Sequence, residues 1–112
     1  MKKLAIVALV LVAMSFVGCG LSSQLIGTWE RSWETAGKEY GDRYEFKRGG
    51  DFVYTYFVGE EDVDGYSGTW SAEDDQLTLV VGGESATGKV EVDGDTMKMY
   101  YTDELYFTYT KK

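Results

Sequence analysis

The chain has 112 residues, one cysteine, no histidine, no proline and a formal charge of -8. That length holds at most one domain, the lone cysteine leaves no internal disulfide, and the lack of histidine excludes Ser-His and Cys-His nucleophile pairs and removes the commonest metal ligand. A sequence pI near 4.4 argues against binding nucleic acid or an anionic membrane surface by charge, and 44% apolar with 15% aromatic residues marks a folding chain.

Residues 1–18 read as a targeting segment. Lys2 and Lys3 precede LAIVALVLVAMSFV, whose only polar side chain is Ser15. A run of this kind matches a signal-peptide core and is short of the ~20 apolar residues a membrane-spanning helix needs. It ends in Phe16-Val17-Gly18-Cys19, which resembles the lipobox of prokaryotic lipoproteins. The resemblance implies that Cys19 is alkylated with a diacylglycerol and becomes the mature N-terminus. Acyl chains contribute about 0.8 kcal/mol per buried methylene, so several together hold a protein at a membrane. The expected organisation is a signal peptide over 1–18, a lipidated cysteine and short tether over 19–23, and a folded domain over 24–112. The expected location is the cell envelope, outside the cytoplasmic membrane, and the outer membrane in a Gram-negative host. Two of the 11 basic residues and none of the 19 acidic ones lie in 1–18, so the remainder carries a side-chain charge of -10.

After Cys19 no stretch repeats apolar residues at helical spacing, and period-two alternation runs throughout. Eight strands are predicted: 25–33, 43–48, 52–58, 66–72, 76–81, 85–92, 96–101 and 105–110. Gly49-Gly50 and Asp93-Gly94 carry the positive-φ chemistry of tight hairpins. Asp74-Asp75 and Gly82-Gly83 mark two more turns, and Thr102-Asp103 a weaker one. Residues 34–42 and 59–65 read as longer loops. No link is long enough for a parallel crossover, so sequential strands pair antiparallel. A meander of eight strands protects its two edges by closing into a barrel. The fold class is therefore an all-β, eight-stranded, up-and-down closed barrel behind an apolar helical signal peptide.

One side of each strand is heavier and is assigned to the interior. It carries Gly27, Trp29, Arg31 and Trp33, then Tyr44 and Phe46, then Phe52, Tyr54 and Tyr56. Tyr66 and Trp70 follow, then Leu77, Leu79 and Val81, Met97, Met99 and Tyr101, and finally Leu105, Phe107 and Tyr109. Val53, Phe57, Val80 and Tyr106 fall on the outside by parity.

Gly27-Thr28-Trp29 opening the first strand resembles the G-x-W of lipocalins, and more closely the small lipocalin-like domains of bacterial envelope lipoproteins. The run Phe46–Phe52, Gly68-x-Trp70 and Asp74-Asp75-Gln76-Leu77-x-Leu79 carry the rest of the resemblance, which covers about 25–110. It implies a barrel floor built from Gly27 and Trp29, with the tryptophan packed against a cation near the end of the last strand. Lys111 is the residue at hand.

No catalytic residues, metal site or cofactor are expected. The carboxylates fall in turns, and Glu60, Glu61, Asp62 and Asp64 lack the spacing of an EF-hand loop. Two readings of the aromatics stand. Trp33, Tyr44, Tyr54, Tyr56 and Trp70 line a pocket for a small apolar ligand, as aromatics do in such sites; or they fill a barrel just wide enough for its own side chains. The corresponding functions are ligand binding in the envelope, or a filled barrel serving as an interaction or inhibitor module against an envelope protein or a host enzyme. Alternating loops put the two long ones at one end, the expected mouth, with Glu34, Glu39, Glu60, Glu61, Asp62 and Asp64 against Lys38. Such a rim favours neutral or cationic ligands over anionic ones.

Overall fold

The computed structural model describes residues 20–112. The signal peptide read over 1–18 and the lipidation of Cys19 lie outside the described residues. A one-turn helix, α1 (Leu21–Leu25), leads into eight strands: β1 (Gly27–Thr35), β2 (Lys38–Phe46), β3 (Asp51–Val58), β4 (Glu61–Glu73), β5 (Gln76–Val81), β6 (Glu84–Asp93), β7 (Thr96–Tyr100) and β8 (Tyr106–Lys111). Each strand pairs antiparallel with its sequence neighbours and β1 pairs with β8, closing the barrel.

Three sequence expectations are corrected. Residues 34–42 are no long loop. β1 and β2 continue in register out to Thr35↔Lys38 and turn on Ala36-Gly37 alone. Both turn residues have positive φ, +54° and +80°, the geometry that matches hairpin twist. Residues 59–65 likewise condense to a turn at Gly59-Glu60. There the ladder passes from Tyr56↔Asp64 to Phe57↔Asp62, so Val63 bulges out as the extra residue. Solvated charges on both hairpins hid the pairing, because a charged side chain is hydrated equally well on a strand edge and in a loop. Third, a helix does follow Cys19. By sequence, 19–23 is expected to be a tether and the first strand to start at Leu25. One helical turn has no stability of its own, and α1 exists because Leu25 is wholly buried under the barrel.

The barrel is tight at one end and splayed at the other. The β1–β8 seam has only Trp29↔Lys111 and Glu30↔Thr110, extended by Lys112 N–H donating to Thr28 O at 2.9 Å. The β6–β7 ladder stops at Val90↔Met99, although β6 stays paired with β5 out to Val81↔Glu84. α1 lies under the tight end against β4 and β6. The closed floor therefore carries the 47–50, 74–75 and 94–95 turns, and the opposite end is open. That is the end expected, for a different reason: a helical plug closes the floor, and no long loops mark the mouth.

Inward parity holds along most strands, with Trp29, Phe46, Phe52, Leu77, Met97 and Tyr109 buried. Phe57 is the exception. It sits on the outer face and is only 6% exposed. Its ring occupies the space where a Cβ on Gly41 would collide, under the Arg43 guanidinium at 5.0 Å. Glycine and arginine together make a satellite core outside the barrel.

Candidate functional site

The lower half of the interior is filled. Trp29 is wholly buried, its Nε1–H donates to Leu25 O at 2.8 Å, and Lys111 Nζ stands 5.4 Å from its ring centre. Gly27, at φ +133°, leaves the space that Lys111 crosses, since a Cβ there would come 2.8 Å from Lys111 Cε. Trp70 donates from Nε1 to Lys47 O at 2.9 Å and meets Phe46 edge-on at 5.3 Å. Both tryptophans thus bind the floor, one to the helix and one to the β2–β3 turn.

Above this layer lies a charged pair. Arg31 and Asp42 face each other across β1 and β2. The guanidinium donates from Nε to Asp42 Oδ1 at 2.8 Å and from Nη2 to Oδ2 at 3.2 Å, and Tyr54 Oη donates to Oδ2 at 2.8 Å. Asp42 is the one buried charged residue among those described, 4% exposed. Bidentate geometry and the third donor are what make burial of this carboxylate tolerable. Arg31 stacks on Phe107 at 3.9 Å and fills the seam where β1 and β8 part. Burial is the largest influence and pulls its pKa down, but the bond to Asp42 together with the charge interactions with Tyr109 and Asp42 outweighs it, and the guanidinium is held more firmly charged. Parity could have found this pair. Arg31 was already assigned inward, and Asp42 lies two residues before Tyr44 on the same face.

The upper half encloses a cavity of about 590 Å³. One wall is aliphatic, with Leu77 and Leu79 of β5, Ala86 and Val90 of β6, and Met99 of β7. The other carries Tyr44, Tyr66 and Tyr101, with Leu105 at the edge. No charged side chain lines it. Tyr66, Tyr101 and Leu105 are 45%, 65% and 50% exposed, so the apolar lining is open to solvent. Burial raises the Tyr44 phenol well above its ordinary range and the neighbouring phenols add to that; burial raises Tyr66 too. The cavity therefore presents neutral hydroxyls.

The residues proposed from sequence to line a pocket separate in space. Tyr44 lines the cavity. Tyr54 stands behind Tyr66, stacked at 4.8 Å, and points its hydroxyl at Asp42. Trp70 belongs to the floor. Tyr56 is partly buried beside Asp42 in register, and Trp33 is 41% exposed near the hairpin tip, stacked on Tyr40 at 6.4 Å. Neither lines the cavity. Leu77, Leu79, Ala86 and Val90 carry no local signal of a site: Leu77 and Leu79 alternate on β5 as core residues do, and β6 has no heavier side to single out Ala86 and Val90. Leu79 and Ala86 open onto a cavity because the β7 ladder ends early, while Leu77 and Val90 form its buried base. The acidic residues of the expected rim lie on the two hairpin tips. Asp62 pairs there with Arg43 at 3.5 Å, and Asp64 Oδ1 accepts the Gly65 N–H. None of the six lines the cavity.

A family model described as a lipocalin-like domain matches residues 25–111. Neither the curated proteins nor the solved structures contain a match to the chain.

Proposed function

The chain belongs to the lipocalin-like domain family, and from that premise we propose that it is a lipid-anchored lipoprotein of the cell envelope whose barrel binds a small apolar ligand, neutral or cationic. The observation that carries the binding reading is the open cavity of about 590 Å³, walled by aliphatic and tyrosine side chains. Its volume lies within the ~300–1,000 Å³ of small-molecule sites. Its uncharged lining offers an ion no counter-charge, and desolvating an unpaired charge is costly, so a neutral ligand fits best; the net charge of -8 on the chain disfavours an anion further and a cation less. The filled lower half supports a shallow cup above a solid floor, with Tyr44 the one of the five proposed aromatics on the cup's wall.

Binding is tested with neutral, cationic and anionic apolar dyes on the full chain, reading dye fluorescence at low and high salt. Neutral and cationic dyes are expected to bind saturably, and Ala86→Trp, which fills the cavity from the β6 wall, to abolish binding. Preferential uptake of anionic dyes would overturn the charge argument, and no uptake of any dye would overturn the ligand reading.

The anchor rests on the apolar run that ends at the sole cysteine, Cys19. With α1 packed under the barrel from Leu21, the tether is shorter than the 19–23 read from sequence. The floor would then sit close to the membrane and the cavity would face away from it. Replacing Cys19 with serine is expected to remove labelled fatty acid and release the protein from membranes on fractionation. Unchanged labelling would sink the anchor.

A further inference from the structure

We infer that the edge of β6 at Ser85 and Thr87 is a docking site for an extended peptide of another protein, added to the barrel wall as a further strand. The geometry follows from one hydrogen bond. Val90 N–H donates to Asp75 O at 2.9 Å, toward β5. Backbone groups on an antiparallel strand alternate sides. Ala86 and Gly88 therefore also bond toward β5, and Ser85 and Thr87 turn their N–H and C=O groups the other way. On that side the β7 ladder has already ended at Val90↔Met99. The β7–β8 tip cannot serve them, since Tyr101 and Thr102 N–H both turn back to Leu105 O. Natural sheets protect such an edge with proline, a bulge or an inward charge. Among the described residues, 85–88 carry none of these; the one inward charge, Glu84, lies beyond them at the end of the strand, and all of 84–88 but Gly88 are exposed.

What lies beside the edge selects the occupant. A strand laid along 85–87 would alternate its side chains across the wall. The inward ones would pass Ala86, which is small, and enter the cavity between Leu79, Tyr101 and Leu105. The outward ones would pass Thr87 and meet the exposed carboxylate of Asp103; the nearby Lys89 is engaged by Glu91 at 3.4 Å, and Glu84 stands at the mouth on the inward face with Leu79 and Ala86. The fitting partner is thus a segment that alternates apolar and basic residues. A second copy of this acidic chain would bring like charges together. Main-chain bonds would supply affinity and the cavity would supply selection, as in other strand-addition sites. This surface stands apart from the small-molecule reading, although a bound peptide would occupy part of the same cavity.

The test uses synthetic peptides of about eight residues, a common strand length, with the full chain. A peptide alternating lysine and valine is expected to bind saturably, to slow amide hydrogen exchange at Ser85 and Thr87, and to displace a cavity-bound neutral dye. The same peptide N-methylated on alternate amides keeps its charge and side chains but loses the donors on one edge. It is expected to bind about tenfold or more weakly, as the loss of two hydrogen bonds implies. A glutamate–valine peptide is expected not to bind. Unchanged exchange at Ser85 and Thr87 under saturating peptide, or equal affinity of the N-methylated form, would overturn the inference. Dye binding measured alone reports on the small-molecule reading, so the two can fail separately.

Discussion

Trp29→Ala is expected to destabilise the domain by about 3–5 kcal/mol, the range for truncating a buried aromatic. The residue is wholly buried, and the change removes more than volume. Leu25 O loses its indole donor, and a buried carbonyl left without a partner costs about 1–3 kcal/mol in its own right. Lys111 Nζ loses the ring 5.4 Å away. Helix α1 then loses its buried hydrogen bond to the barrel and keeps the packing of Leu21 and Leu25 and the exposed Ser22 bond to Ala72 O, so the variant should also lose protection of the Gln24 N–H that bonds to Gly20 O. A chain of this size has a total stability of about 5–15 kcal/mol, so the loss is a large share. Urea unfolding is the measurement. Trp29→Phe keeps most of the apolar volume and isolates the indole bond, and should cost clearly less. A loss below about 1 kcal/mol for alanine would place Trp29 outside the core.

The second large effect is a steep loss of stability in alkali. Burial raises the Tyr44 phenol above its ordinary value, with the neighbouring phenols adding to it. Burial likewise raises Tyr109, with the Asp42 charge as the next cause. In the unfolded chain both ionise near pH ~10. Below that pH both states hold the protons and the contribution to stability is complete. Above it the unfolded chain releases two protons that the folded chain retains, so stability falls as pH rises. Each phenol contributes about 1.4 kcal/mol per pH unit in that window, or about 2.7 kcal/mol for the pair. Tyr54 shifts in the same direction, by burial and then by its bond to Asp42, but is partly open to solvent and is left out of that figure. Denaturant titrations at pH about 9, 10 and 11, with the tyrosinate absorbance band as a second probe, give the slope. The buried phenols should ionise together with unfolding, and Tyr44→Phe with Tyr109→Phe should flatten the profile. A wild-type profile already flat across that window would refute the assignment.

Gly41 shows how far local reading reaches. Its place in a charged, glycine-bearing stretch made a loop the natural expectation. In the folded chain it is a strand residue whose missing side chain admits the Phe57 ring. Its partner lies 16 positions away in sequence, in register across β2 and β3, and no window along the chain brings the two together. Arg31 and Asp42 are a nearer case, since parity puts both inward. Each has an ordinary local environment, and only the β1–β2 register makes them a buried pair.

The sequence by itself determined the class of architecture. Period-two alternation and short turns at Asp74-Asp75 and Gly82-Gly83 leave a chain no choice but an antiparallel meander, and a meander with two bare edges closes. The resemblance of Gly27-Thr28-Trp29 to an opening lipocalin motif pointed to a tryptophan packed against a cation, and the fold brings Lys111 Nζ to 5.4 Å from the Trp29 ring. Tertiary structure alone decided where the barrel is filled and where it is open. β1–β8 pairs only at Trp29↔Lys111 and Glu30↔Thr110 and β6–β7 stops at Val90↔Met99, and both limits depend on partners distant in sequence. The early end of β7 turns Leu79 and Ala86 from core into cavity wall. The one-turn helix α1 has no local signal strong enough to predict it, and it forms because the floor offers Leu25 a buried place and Trp29 a carbonyl to bind.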